Sequence, residues 1–218
     1  MMKKIMVFIC AFLCQMPPLV SAQENGLDTV NVYLVPMEDF PEDAAVAFAK
    51  SLSKEMNARV KSSLRLGDLD ALQLPGTNQL ISEDIIAKSQ PILKSFPEVS
   101  KSTYFLILTT KDINSNNGNF RFQFSTHSKE LNTSVVSMAR LFEYVDGKPV
   151  ANDLVLTRLY KMTKRAIGEM YLGWKRSVNR KDVMYSPIMS LDDLDSIGVN
   201  HVIEDKDKPA NYLLKDMI

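Results

Sequence analysis

The segment that most constrains this chain is residues 158–198, RLYKMTKRAIGEMYLGWKRSVNRKDVMYSPIMSLDDLDSIG. Just ahead of it and within it, Leu156, Leu159, Met162, Ala166, Met170 and Trp174 recur at helical spacing, which predicts one long helix over 153–174 with an apolar face. A turn at Leu172-Gly173-Trp174, a polar loop, a corner at Val183-Met184-Tyr185 and a short helix follow. Asp192, Asp193 and Asp195 stand at the start of that last helix, where carboxylates cap free N–H groups and favour the dipole.

Upstream, the patterns alternate between strand and helix. Residues 29–36 (TVNVYLVP) alternate apolar and polar before a proline, a strand with one buried face. Pro41 opens a helix with Asp39 as a nearby cap, and Ala44, Ala45, Val46, Phe48, Ala49, Leu52 and Met56 recur at helical spacing. Residues 58–66 read as a second strand. A helix from Ser82 is interrupted by Pro91, so it is kinked or is two short helices. Residues 103–110 (TYFLILTT) form the most apolar, β-branched run, which predicts a central strand buried on both faces. Residues 119–125 alternate strictly, so Phe120, Phe122 and Phe124 are expected to face inward. Residues 133–141 (TSVVSMARL) read as a further strand, and Asp146-Gly147 as a turn. The order is β-α-β-α-β-β-β-α-turn-α, an α/β (α+β) arrangement without internal repeats.

The N-terminus reads as a secretory signal peptide: Lys3 and Lys4, an apolar stretch over 5–14, and small residues at Val20-Ser21-Ala22. The stretch is too short to span a membrane. Cleavage after Ala22 leaves a single domain over 23–218 without Cys10 and Cys14, the only two cysteines, so no disulfide or cysteine zinc site can form in it. It also removes two lysines and no acid, which shifts a balance of 26 basic and 26 acidic side chains to a net −2. That charge offers no nucleic-acid footprint. A bacterial periplasm or the cell exterior is the expected location.

The helix, the glycine turn and the methionine corner together resemble the catalytic half of a metzincin zinc protease. In that clan H-E-x-x-H-x-x-G-x-x-H runs along a long helix into a Met-turn. Within the clan the chain resembles the archaemetzincins. TYFLILTTKDI, with Asp112, is similar to their central strand. SVVSMARL, with Ser137, Arg140 and Leu141, is similar to their edge strand. LTRLYKMTKRAI is similar to their lead-in to the zinc motif, and LGW with VMYSP to their glycine turn and Met-turn. The resemblance implies a twisted mixed sheet with two helices, a long former active-site helix, a Met-turn at Met184 and a C-terminal helix.

It also implies where the chemistry should stand. With the motif glycine on Gly173, the ligand positions fall on Ala166, Met170 and Arg176, and the general base on Ile167. Archaemetzincins carry three histidines and a glutamate there, and four cysteines for a second zinc. Alanine and methionine at i and i+4 make an apolar stripe, and a guanidinium repels a cation. Moving the register so that Glu169 is the base puts the ligand positions on Gly168, Leu172 and Val178, which bind no metal. No cofactor is expected, and the motif's interior should be filled by Ala166, Met170 and Met184.

Three readings follow. The first is a secreted pseudoprotease that binds an extended peptide or protein along an edge strand formed by Ser134, Val135, Val136, Ser137, Met138, Ala139, Arg140 and Leu141. The second is an active metallo- or other hydrolase built on His127 or His201, the only histidines, which otherwise read as solvated polar residues. The third is a structural envelope protein. The basic residues Lys161, Lys164, Arg165, Lys175, Arg176, Arg180 and Lys181 read as a solvated helix face and loop, or else as an anion-facing rim.

Overall fold

A computed structural model describes residues 29–117 and 120–202. The expected signal peptide, residues 118–119 and residues 203–218 lie outside the described residues. In chain order the elements are β1 (Val32–Pro36), α1 (Glu42–Met56), β2 (Val60–Ser62), β3 (Leu80–Ile81), α2 (Ser82–Leu93), β4 (Tyr104–Thr109), β5 (Ile113–Asn114), β6 (Ser125–Ser128), β7 (Thr133–Ser137), β8 (Glu143–Val145), β9 (Lys148–Val150), α3 (Asp153–Met170) and α4 (Leu191–Ser196).

The main sheet has the order β2-β1-β4-β7-β6. β4 lies at its centre, parallel to β1 and β7, and every residue of it is buried. Period-two alternation divides it between two cores. Tyr104, Leu106 and Leu108 join Leu34, Val136, Leu52 of α1 and Leu159 of α3 on one face. Phe105 and Ile107 join Tyr33, Val35, Val135 and Ile85 of α2 on the other. Helices on both faces explain why β4 reads as a continuous apolar run. The sheet is mixed because β6 runs antiparallel to β7 at one edge.

Four sequence expectations need correction. Residues 120–124 form no strand. The Gln79 side chain donates to the Arg121 carbonyl at 2.9 Å and Asn114 to the Phe120 carbonyl at 2.9 Å, and only an isolated bridge, Gln123 N–H to the Ile113 carbonyl at 3.1 Å, stands where a ladder was expected. Phe120 is 61% exposed, while Phe122 and Phe124 are half-buried and meet edge to face at 5.2 Å. Second, β7 stops at Ser137, where Leu141 N–H turns back to the Met138 carbonyl at 2.9 Å. Third, Asp39 does not cap α1; it accepts from Thr110 N–H at 2.5 Å, at the end of β4. Fourth, α2 runs unbroken through Pro91.

The long helix α3 starts at Asn152, whose side chain accepts from Val155 N–H at 3.0 Å, and ends at Met170 rather than Trp174. Beyond it Leu172 N–H reaches the Ile167 carbonyl at 3.1 Å and Trp174 N–H the Gly168 carbonyl at 2.8 Å. Gly173 turns the chain there with φ 70°, a left-handed conformation that favours glycine. These bonds span five and six residues, so the helix takes in an extra residue before the glycine.

Candidate functional site

A cavity of about 470 Å³ opens between α3, the β6 edge with the segment leading into it, and the chain after the methionine corner. From α3 come Met162, Arg165, Ala166 and Glu169; the β6 side supplies Phe122, Phe124, Ser125 and His127; the later chain adds Arg176, Pro187, Ile188 and Met189. Phenyl rings and aliphatic side chains make its walls, and charged groups lie along the helix.

The charges form an ordered set. Arg176 and Glu169 make an ion pair at 2.5 Å. Arg165, one turn before Glu169, is only 5% exposed. Its Nη1 donates to the carbonyls of Val183 and, at 2.7 Å, Tyr185, the residues on either side of Met184. Burial, then the neighbouring Arg176, pushes its pKa down to about 10, against the pull of Glu169 and Asp182. The corner itself is a tight turn. Tyr185 N–H bonds the Asp182 carbonyl at 3.0 Å, and Met184 N–H bonds Asp182 Oδ1 at 2.8 Å.

Of the residues that the motif register singles out, Ala166 and Arg176 reach the cavity and Gly173 makes the turn. Ile167 is 0% exposed inside the main core, and Met170 packs against that core away from the cavity. The i, i+4 pair that faces the cavity is Arg165 and Glu169, with Ala166 beside Arg165. The extra residue at the end of α3 produces this shift. Met184 is fully buried beneath the corner. The interior is therefore not filled by Ala166, Met170 and Met184 as expected; it is open and charged.

The expected edge strand is also displaced. Residues Ser134 to Ser137 lie in β7, which pairs with β4 on one side and β6 on the other, so its backbone groups are taken up by ladders. Met138, Ala139, Arg140 and Leu141 lie beyond the strand, and Arg140 pairs with Asp112 at 2.5 Å. The edge strand on this side of the sheet is β6, which carries His127.

Neither histidine is solvated. His127 Nδ1 lies 2.7 Å from Ser134 Oγ and Nε2 lies 3.2 Å from Ser125 Oγ. Burial, then Arg176 and Arg165, lower its pKa below 6.5 against the opposing pull of Glu169. The folded chain thus refuses a proton that the unfolded chain accepts, so this group costs stability as pH falls below 6.5 and nothing above it. An NMR titration should place His127 below 6.5, and Arg176→Gln should move it upward; an unchanged value in that variant would contradict the assigned contacts. His201 bonds Asp182 at 3.0 Å and stacks on Trp174 with ring centroids 4.4 Å apart, away from the cavity.

The basic cluster divides. Lys161 is buried and donates to the carbonyls of Leu194 and Asp195 at 2.9 and 3.1 Å. Lys164 is buried against Glu55 at 2.6 Å. Lys175, Arg176, Arg180 and Lys181 are exposed. Sequence reasoning missed Arg158, which is 4% exposed and forks onto Asp195 at 2.7 and 2.6 Å.

Among the described residues no group of three or more His, Cys, Asp or Glu side chains is placed to hold a metal ion, and no helix is long and apolar enough to cross a membrane. The cavity's own charged side chains do not fit zinc: its helix presents a guanidinium and a carboxylate, the latter already paired with a second guanidinium.

A scan against protein-family models finds no match, and a search of curated proteins finds none either. Solved structures do match. A zinc-dependent peptidase from Methanocorpusculum labreanum superposes with a TM-score of 0.64 at 19% identity, over 78% of this chain and 95% of that one. Archaemetzincin from Methanopyrus kandleri gives 0.59 at 20% identity, over 81% and 91%. Archaemetzincin from Archaeoglobus fulgidus, complexed with malonate, gives 0.57 at 24% identity, over 78% and 94%. The chain has the mixed-sheet fold of these zinc-dependent peptidases.

Proposed function

We propose that this chain is a secreted binding protein on an archaemetzincin fold, without a zinc site and without peptidase activity. The carrying observation is the helical face of the cavity. Where the fold's peptidases would need histidines, the cavity-facing residues are Arg165, Ala166 and Glu169, with Arg176 beyond the glycine turn. This register is one residue earlier on α3 than Gly173 implies, and the long-span hydrogen bonds before that glycine support it. In this register, as in the two weighed from sequence, the imidazoles are gone. Two guanidiniums oppose a bound cation, and without zinc there is no Lewis acid and no activated water. An open cavity beside the short edge strand β6 suits an extended peptide, which can add its backbone to a sheet edge and place side chains in the adjoining pocket. The basic and apolar start of the sequence supports secretion.

Elemental analysis of the purified chain, with zinc titration by calorimetry, tests this reading. The expected result is no stoichiometric zinc and no binding isotherm at micromolar protein. One tightly held zinc per chain would overturn it.

A further inference from the structure

The cavity holds a buried cation that has no ion-pair partner among the described residues. Among the described residues, no carboxylate lies within ion-pair distance of Arg165, and its hydrogen bonds are those of Nη1 to the Val183 and Tyr185 carbonyls. A guanidinium carries five N–H donors. Nη1 supplies two, so Nε and Nη2 keep three in reserve, on a side chain that is 95% buried and lines the cavity. Burying a charge without a partner is expensive. The one carboxylate on the cavity wall, Glu169, is turned to Arg176. Arg121, Arg165 and Arg176 against Glu169 leave the cavity positive. The rest of the wall is apolar: Phe122, Phe124, Met162 and Ile188.

We propose that Arg165 takes a peptide's C-terminal carboxylate on its free Nε and Nη2 donors, with the apolar last side chain among Phe122, Phe124 and Ile188. The inference rests on the binding-protein reading and specifies its ligand. A planar fork of two N–H groups matches the two oxygens of a carboxylate, which favours this anion over a single-point acceptor. The β6 edge beside the cavity gives the preceding residues a strand to follow. Glu169 is the internal competitor: its carboxylate occupies the neighbouring guanidinium and bears a charge that repels the incoming one.

Calorimetry with the unmodified full chain tests the proposal, using two otherwise identical hexapeptides that end in phenylalanine, one a free acid and the other its amide. The free acid should bind about 10- to 100-fold more tightly, the usual worth of a charge-assisted pair of hydrogen bonds. 3-Phenylpropionate serves as a third probe. It should bind more weakly than the free-acid peptide, because it lacks the backbone that pairs with β6; equal or tighter binding would overturn the peptide assignment in favour of a small acid. Arg165→Gln should remove the preference for acid over amide. Because Arg165 also ties down the methionine corner, Glu169→Gln gives an independent check: it should tighten the acid several-fold and leave the amide unchanged, a change of sign that loss of structure does not produce. Equal affinity for acid and amide, or binding of neither, would overturn this inference while leaving the zinc result, and the reading beneath it, untouched.

Discussion

Asp195→Ala is expected to destabilise the fold by about 3 kcal/mol, the lower part of the range for breaking a buried ion pair, because Asp195 itself is partly exposed. The cost comes from what remains. Arg158 keeps one hydrogen bond, from Nη1 to the Leu141 carbonyl at 2.9 Å, and a glutamate, Glu143, at 3.7 Å. Its Nε and the Asp195-facing N–H of Nη2 lose their acceptors inside the protein. The pair also fastens α4 to α3, so the same substitution should loosen the chain that follows the methionine corner. Denaturant unfolding should show a lower midpoint at an unchanged slope. Asp192→Ala, at an exposed first-turn position of the same helix, is the control and should cost less than about 1 kcal/mol, the worth of an exposed carboxylate at a helix N-terminus. If Asp195→Ala matched its control, the buried pair would be energetically idle.

Leu106→Ala should cost about 2–5 kcal/mol, the range for truncating a fully buried leucine, and its site argues for the upper half. Leu106 is fully buried in the middle strand, in register with Leu34 of β1 and Ser134 of β7, with α1 and α3 packed over its face. A cavity there is enclosed by ladders on both sides and cannot collapse readily. Thermal unfolding should fall by several degrees, at about 2–4 °C per kcal/mol for a chain of this size. Ile107→Val, on the opposite face of the same strand, should cost only about 0.5–1.5 kcal/mol. A loss at Leu106→Ala no larger than at Ile107→Val would mean that the site at Leu106 collapses and leaves no enclosed cavity.

The elements that could be read from sequence are those whose pattern is fixed by burial on every side. β4 is apolar throughout because helices cover both its faces, and α3 was legible as a helix although its apolar period understates its burial, since residues 161–168 are all buried and Leu156 is exposed. Residues 119–125 show the same kind of signal for a different reason. Their alternating phenylalanines line a cavity, where Phe122 and Phe124 pack on each other, while Gln79, far away in sequence, and the nearer Ile113 and Asn114 hold the backbone. The site was legible as a place but not as a set of side chains. Gly173 and Met184 mark the turn and the corner, yet one additional residue at the end of α3 rotates Met170 and Ile167 away and brings Arg165 and Glu169 in. Sequence spacing assumes ideal helix, and here the end of the helix departs from it. Charge patterns mislead in a related way. Lys161 and Lys164 look like a solvated face until the fold supplies Asp195 and Leu194 from further along and Glu55 from the first helix.

Those buried cations also bear on the order in which the molecule can be completed. Arg158, Lys161 and Arg165 find their acceptors 17 or more positions away, and most of them, at Val183, Tyr185, Leu194 and Asp195, lie downstream. Until that stretch is in place, α3 can bury Val155, Leu159 and Ile167 against the sheet and pair Lys164 with Glu55, but Lys161 and Arg165 have none of their acceptors and Arg158 lacks Asp195. The final quarter of the chain thus acts as a latch: a nascent polypeptide stopped before Asp195 would carry a helix with its docking surface made and its countercharges missing.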